Sequence, residues 1–265
     1  MRQAEAAIPL YGGPRSGRDI NIVIVSEGYR RNEMGIFQND ARGVVDIIVN
    51  KPPFSKMALQ IVRLDVISKE GGVALLDEEK DTPFKATLNP DTGTFWIDEP
   101  LTRQVATSLG PDFYAHKVVV LVNEPSIAGG GGKFLFSGRR PDGIAVVSNA
   151  NRSVTLLHEL GHAFGLADEY GNAHPMGGKP PNVATSLENV PWQKLLKPKG
   201  IELPTVDDGS HKARSLVGAF PTQGTPPRYR PQTQCIMNAS TNAVDYCKVC
   251  TEWIRRAPQF ANASP

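Results

Sequence analysis

The sequence predicts an α/β fold of the α+β kind, and three observations predict it. Short β-branched runs recur along the first half, segments with helical apolar spacing separate them, and proline or glycine marks the joints. Such alternation favours a twisted sheet, mixed or mostly parallel, with helices packed on it.

Residues 20–26 (INIVIVS) form the first run. After Glu27-Gly28-Tyr29, the side chains of Phe37, Ala41, Val44 and Ile48 recur at helical spacing until Pro52-Pro53 stops the segment. Residues 61–68 (IVRLDVIS) read as a second strand, 101–109 as a helix, and 117–122 (KVVVLV) as a strand buried on both faces. The four glycines 129–132 read as a mobile surface loop, because no Gly-Lys-Ser/Thr follows to make a phosphate cradle. Residues 144–148 (IAVVS) are the next strand, expected at an exposed edge where an extended peptide could pair. Between 171 and 234 prolines and glycines recur, the mark of an irregular lobe with a short helix near 190–196. Val244, Cys247, Trp253 and Ile254 indicate a C-terminal helix ending before Pro258.

Bulk composition removes several function classes. The 29 basic and 27 acidic residues are spread along the chain and leave a net charge of only +2, so no nucleic-acid partner is expected. No stretch approaches the roughly 20 apolar residues that span a bilayer. Residues 1–10 lack the apolar core of a secretory signal, so the expectation is a soluble chain, mature or trimmed, and monomeric. Cys235, Cys247 and Cys250 cluster near the end, compatible with one local disulfide or with reduced thiols.

Residues 153–170 read SVTLLHELGHAFGLADEY. His158 and His162, four apart on a helix, stand one turn above each other, so their imidazoles can converge on one ion. Glu159 projects about 100° away from His158, near enough to act as general base toward water without having to coordinate. Catalytic zinc takes three protein ligands and keeps a fourth position open. Gly165 can adopt positive φ and turn the chain back, so that Asp168 supplies the third ligand; Glu169 is the alternative. The string His-Glu-x-x-His-x-x-Gly-x-x-Asp fits the metzincin pattern, with Asp in place of the commoner third His. His116, His174 and His211 are expected to be surface or structural residues rather than ligands.

Several stretches, VIVSEGYRRNEMGIFQNDA, VRLDVISKEGG, VVVLVN, HELGHAFGLADEY, NVPWQKLL, RPQTQCIMN and DYCKVC, together resemble the M64 peptidases, a family that includes an immunoglobulin A-cleaving enzyme. The resemblance implies a metzincin-like catalytic domain with one catalytic Zn2+, endopeptidase activity on a protein or peptide substrate, and a secreted or extracytoplasmic address. The expected organisation is one domain over 1–265, with the sheet and site helix in 1–165 and the third ligand, a Met-turn and the terminal helix in 166–265. Within the resemblance Met237 becomes the Met-turn methionine, an apolar floor under the histidines. Metzincins often place a Tyr after that turn to steady the oxyanion; Asn238 and Ala239 stand here, leaving Tyr246, Tyr229 or Tyr170 for the role. Cys235 paired with Cys247 or Cys250 would pin the last helix to the turn; the other reading of Cys247-x-x-Cys250 is a redox or second metal site, although three cysteines with no adjacent His argue against a closed four-ligand zinc site. Two rival functions stay open: a zinc-stabilised binding module for a glycan or protein, and a zinc hydrolase of a non-protein amide.

Overall fold

A computed structural model describes residues 7–13, 20–109, 113–137, 140–150, 153–170, 179–188, 190–196, 202–209, 215–224, 226–239 and 242–261. In chain order the strands are β1 (Ile8–Tyr11), β2 (Ile20–Glu27), β3 (Leu59–Leu64), β4 (Ala74–Leu75), β5 (Thr87–Asn89), β6 (Thr94–Trp96), β7 (Lys117–Val122), β8 (Gly130–Ser137), β9 (Arg140–Ser148), β10 (Phe220–Pro221) and β11 (Tyr229–Arg230). The helices are α1 (Met34–Asn50), α2 (Glu99–Thr107), α3 (Ser153–Ala163) and α4 (Lys248–Ala261). Strands β1 to β9 make one sheet in the order β1-β3-β2-β7-β9-β8-β6-β5-β4. Its centre, β3-β2-β7-β9, is parallel, whereas β8 runs antiparallel to β9, so the sheet is mixed as expected.

Alternation along the central strands divides the molecule into two apolar layers. Ile20, Ile22 and Ile24 of β2, with Val119 and Leu121 of β7 and Ala145 and Val147 of β9, face α1, α3 and α4. Val23 and Val25, with Val118, Val120, Ile144 and Val146, face the opposite side toward Phe84, Leu88 and Phe95. Both faces are therefore covered, which explains why residues 117–122 carry no polar alternation. Helix α2 starts where Asp98 caps it, its side chain accepting from the Leu101 N–H at 2.9 Å.

Two expectations about the sheet are corrected. Residues 144–148 are no edge, because β9 lies between β7 and β8. Gly130–Gly132 are no loop but the first residues of β8, paired with Val147, Val146 and Ala145. The physical reason is close approach: β8 crosses α3 so tightly that side chains there would collide with the helix.

The C-terminal lobe is irregular as expected, with β10 and β11 as its only strands among the described residues and a 3-10 turn at Gln193–Leu195. Among the described residues it has no separate core. Ala184, Val190, Trp192, Val217 and Ala219 join the same apolar cluster as α1 and α3. The last helix begins at Lys248, later than its apolar spacing suggests, and continues through Pro258. No helix among the described residues is long and apolar enough to cross a membrane.

Candidate active site

Helix α3 follows β9 and packs across β9 and β8, apolar nearly all round, with Leu156, Leu157, Leu160 and Ala163 buried. It ends at Gly165, whose φ of 87° is the left-handed conformation that glycine adopts without penalty. Gly165 N–H donates to the His162 carbonyl at 2.8 Å and Leu166 N–H to the Gly161 carbonyl at 3.0 Å, the paired bonds of a Schellman stop. The chain then turns back, and Asn182 holds the returning segment: Ala167 N–H donates to its Oδ1 at 2.9 Å, and its Nδ2 donates to the Ala167 carbonyl at 2.7 Å.

That return brings Asp168 to the histidines. Asp168 Oδ1 lies 3.1 Å from His158 Nε2 and 3.3 Å from His162 Nε2, and the two Nε2 atoms are 3.1 Å apart. These three residues form a group able to hold a metal ion. Although two ring nitrogens are so near, Asp168 Oδ1 has no hydrogen-bond donor aimed at it. The three ligand atoms lie close enough together to share one ion.

Each imidazole is fixed from behind. His158 Nδ1 donates to the Ile236 carbonyl at 2.8 Å and His162 Nδ1 to the Leu166 carbonyl at 2.9 Å. A carbonyl oxygen only accepts, so each ring keeps a proton on Nδ1, and Nε2 is the nitrogen that either carries a second proton beside Asp168 or, once that proton leaves, offers its lone pair to a cation. Without a cation, burial pulls the His158 pKa down, but the neighbouring Asp168 and Glu159 carboxylates more than offset it and hold it at about 9. Burial likewise works against ionised Asp168, yet both histidines together hold its carboxyl well below the usual range. The trio is thus a preassembled anionic site with its compensating proton on the rings.

Glu159 lies under β8. A Cβ added at Gly130 would sit 2.7 Å from Glu159 Oε1, and one at Gly132 would sit 2.9 Å from Oε2 and 2.6 Å from His162 Cβ. Burial raises the pKa of Glu159, His162 and His158 oppose that rise, and Asp168 adds to it. The glycine run, read from sequence as a loop, is what allows the sheet to lie on the site helix. Gly132→Ala is expected to cost about 1–3 kcal/mol of stability by overpacking and to displace Glu159, which a thermal melt and an activity assay would read together. A variant melting like the parent would contradict this packing.

The floor of the site is the turn at Cys235–Asn238, closed by Asn238 N–H donating to the Cys235 carbonyl at 2.9 Å. Met237 is fully buried, and its Sδ would lie 2.3 Å from a Cβ at Gly161, between the two histidines on the helix. The turn's Ile236 carbonyl is the acceptor that orients His158.

The expected alternatives separate cleanly. Glu169 does not face the ion site: its side chain is fully buried among the three cysteines. Tyr246, expected among the oxyanion donors, instead donates its hydroxyl to the Leu157 carbonyl and lies under α3 as a prop. Tyr229 sits in β11, half-buried against the core. Tyr170 alone of the three comes to the trio, its ring 6.3 Å from that of His158. Burial and then the charge of Asp168 raise its pKa. His116 is structural, accepting from Asn21 N–H at Nδ1; His174 and His211 lie outside the described residues. Sequence reasoning missed Gly130, Gly132 and Asn182, whose only signal, small or amide side chains among prolines and glycines, is shared with ordinary loops.

The family model described as IgA Peptidase M64 matches residues 8–217, including β2, α3 and all three converging side chains. The chain belongs to this family. Membership makes this M64 chain one of a group of peptidases, proteins that act on other proteins. Its mixed sheet and site helix agree with the α+β, metzincin-like arrangement expected from sequence. A search of curated proteins finds no match. The matched region ends before Cys235 and so does not include the turn at Met237 or the three cysteines.

Proposed function

We propose that this M64 chain is a zinc-dependent endopeptidase, with the ion held by His158, His162 and Asp168 and Glu159 as general base. The observation that carries the reading is the triangle of ligand atoms with edges of 3.1, 3.1 and 3.3 Å. Zinc held at about 2.0–2.1 Å by nitrogen and oxygen at tetrahedral angles needs edges of about 3.3 Å. Two imidazoles and one carboxylate also suit zinc chemically, and they leave its fourth position open.

Zinc bound there would polarise the scissile carbonyl and make water more acidic. The remaining work falls to the chain. Glu159 takes the proton from the attacking water and delivers it to the leaving amine. Asp168, placed by the bonds of Asn182 to the Ala167 backbone just before it, fixes the third corner. The outer edge of β8 beyond Gly130, with which no other described strand pairs, takes the role first assigned to residues 144–148 and adds an extended substrate as a strand. Met237 serves as the Met-turn floor, and a single catalytic domain outside the cytoplasm is the setting this reading implies.

A non-catalytic zinc module would have no use for Glu159, a carboxyl nearly buried against the glycine strand. Incubating the purified chain with an unfolded protein, before and after chelation and again after zinc is restored, tests the proposal. Cleavage that stops and returns supports it; zinc-loaded protein that cuts no polypeptide opposes it.

Asp168 also brings a negative charge that an imidazole would not. Asp168→His is therefore expected to move the acidic limb of the pH–rate profile to lower pH. An unchanged limb would count against the charge argument.

A further inference from the structure

Behind the active site, on the far side of Asp168, Glu169 meets Cys235, Cys247 and Cys250, and all four are buried. None of the three cysteines is in a disulfide. Cys250 Sγ lies 3.2 Å and Cys247 Sγ 3.8 Å from Glu169 Oε1, and Cys235 Sγ is 3.7 Å from Cys250 Sγ. One ligand atom from each of the four residues falls within 4.8 Å of all the others. Glu169 Oε2, also buried, has no hydrogen-bond partner at all. A carboxyl group taken out of water beside three thiols and left half-satisfied is costly unless something compensates it.

We propose that Cys235, Cys247, Cys250 and Glu169 form a second, structural zinc site. With zinc–sulfur bonds of about 2.3 Å and a zinc–oxygen bond of about 2.0 Å, tetrahedral geometry sets sulfur–sulfur edges near 3.8 Å and sulfur–oxygen edges near 3.5 Å. The two observed sulfur–oxygen separations, 3.2 and 3.8 Å, bracket the second value, and the sulfur–sulfur separation of 3.7 Å lies beside the first. Backbone amides already point at the sulfurs, Cys247 N–H at Cys235 Sγ (3.2 Å) and Cys250 N–H at Cys247 Sγ (3.5 Å), as they do for charged thiolates. Each cysteine that binds releases its proton to solvent, and no oxidant is required. A disulfide between Cys235 and Cys250 would account for two groups and leave Cys247 and the buried carboxyl without a role.

The staple joins three parts of the active site. Cys235 opens the turn that carries Ile236 and Met237, Cys247 and Cys250 bracket the start of α4, and Glu169 directly follows Asp168. Glu169 N–H donates to the Met237 carbonyl at 2.8 Å, and Arg230 Nη1 to the Glu169 carbonyl at 3.1 Å, so backbone and ion would act on one segment. Filling this site would therefore set both the third ligand and the carbonyl that orients His158.

Reloading the chelator-stripped full chain with Co2+ tests this without reference to catalysis, because the His158–His162–Asp168 site has no sulfur. The expected result is an intense near-ultraviolet sulfur-to-cobalt band that saturates at one equivalent, and two zinc ions per chain in the zinc form. The band should survive in His158→Ala/His162→Ala and vanish in Cys247→Ser/Cys250→Ser. One zinc per chain with the band present leaves this inference standing and removes the catalytic-zinc reading. Absence of the band in metal-loaded wild type, or an intact mass lighter by two hydrogens, overturns it.

Discussion

Glu159→Ala is expected to lower turnover of a protein substrate by about 10²- to 10⁴-fold, the usual contribution of a positioned acid–base group, while the zinc content stays that of the parent. The two readouts separate because Glu159 is next to a ligand without being one: its carboxylate rests against Gly130 and Gly132, whereas the converging atoms come from His158, His162 and Asp168. Burial raises its pKa from the ordinary carboxyl value, and the histidines pull it back. Raised basicity suits a group that must accept a proton and then give it up. Parallel measurement of metal content and of cleavage of an unfolded protein checks the prediction. Full activity in the variant would remove Glu159 from the mechanism, and lost metal would make it structural.

His162→Ala is expected to abolish both activity and catalytic metal. The change removes one corner of the triangle, leaving an imidazole and a carboxylate that cannot close a three-ligand site. It also removes the bond from His162 Nδ1 to Leu166, the link between the ligand and the bend that returns Asp168. Asp168 would then face His158 alone. Activity should fall to that of chelated wild type, zinc should fall by one per chain, and excess zinc should restore little. A variant that keeps the wild-type zinc content with activity merely reduced would place the ion elsewhere.

How much of this was legible in the sequence depends on the range of the interactions. The site helix was legible because its signals are local: two histidines one turn apart, a glycine that stops the helix, and an acidic residue three places on. The central strands were legible because a strand buried on both faces writes itself as a continuous β-branched run. Residues 129–132 misled because glycine has the same appearance in a mobile loop and in a strand pressed against a helix; only the positions of Glu159 and His162 beneath them decide. Strands β4, β5 and β6 are two or three residues long, too short for a period to show. Cys247 and Cys250, which meet the Glu169 carboxyl, lie 78 and 81 residues away, so nothing near it in the chain marks it as a companion of cysteines. Sequence could pose the choice between Asp168 and Glu169, but it took the return of the chain to send the two side chains in opposite directions.

Crystals of the zinc-loaded chain, with diffraction recorded on both sides of the zinc absorption edge, test the central claim most directly. The account predicts an anomalous peak about 2.0–2.2 Å from His158 Nε2, His162 Nε2 and one oxygen of Asp168, with Glu159 beside it and uncoordinated. Well-ordered density for those three side chains with no peak among them would contradict it.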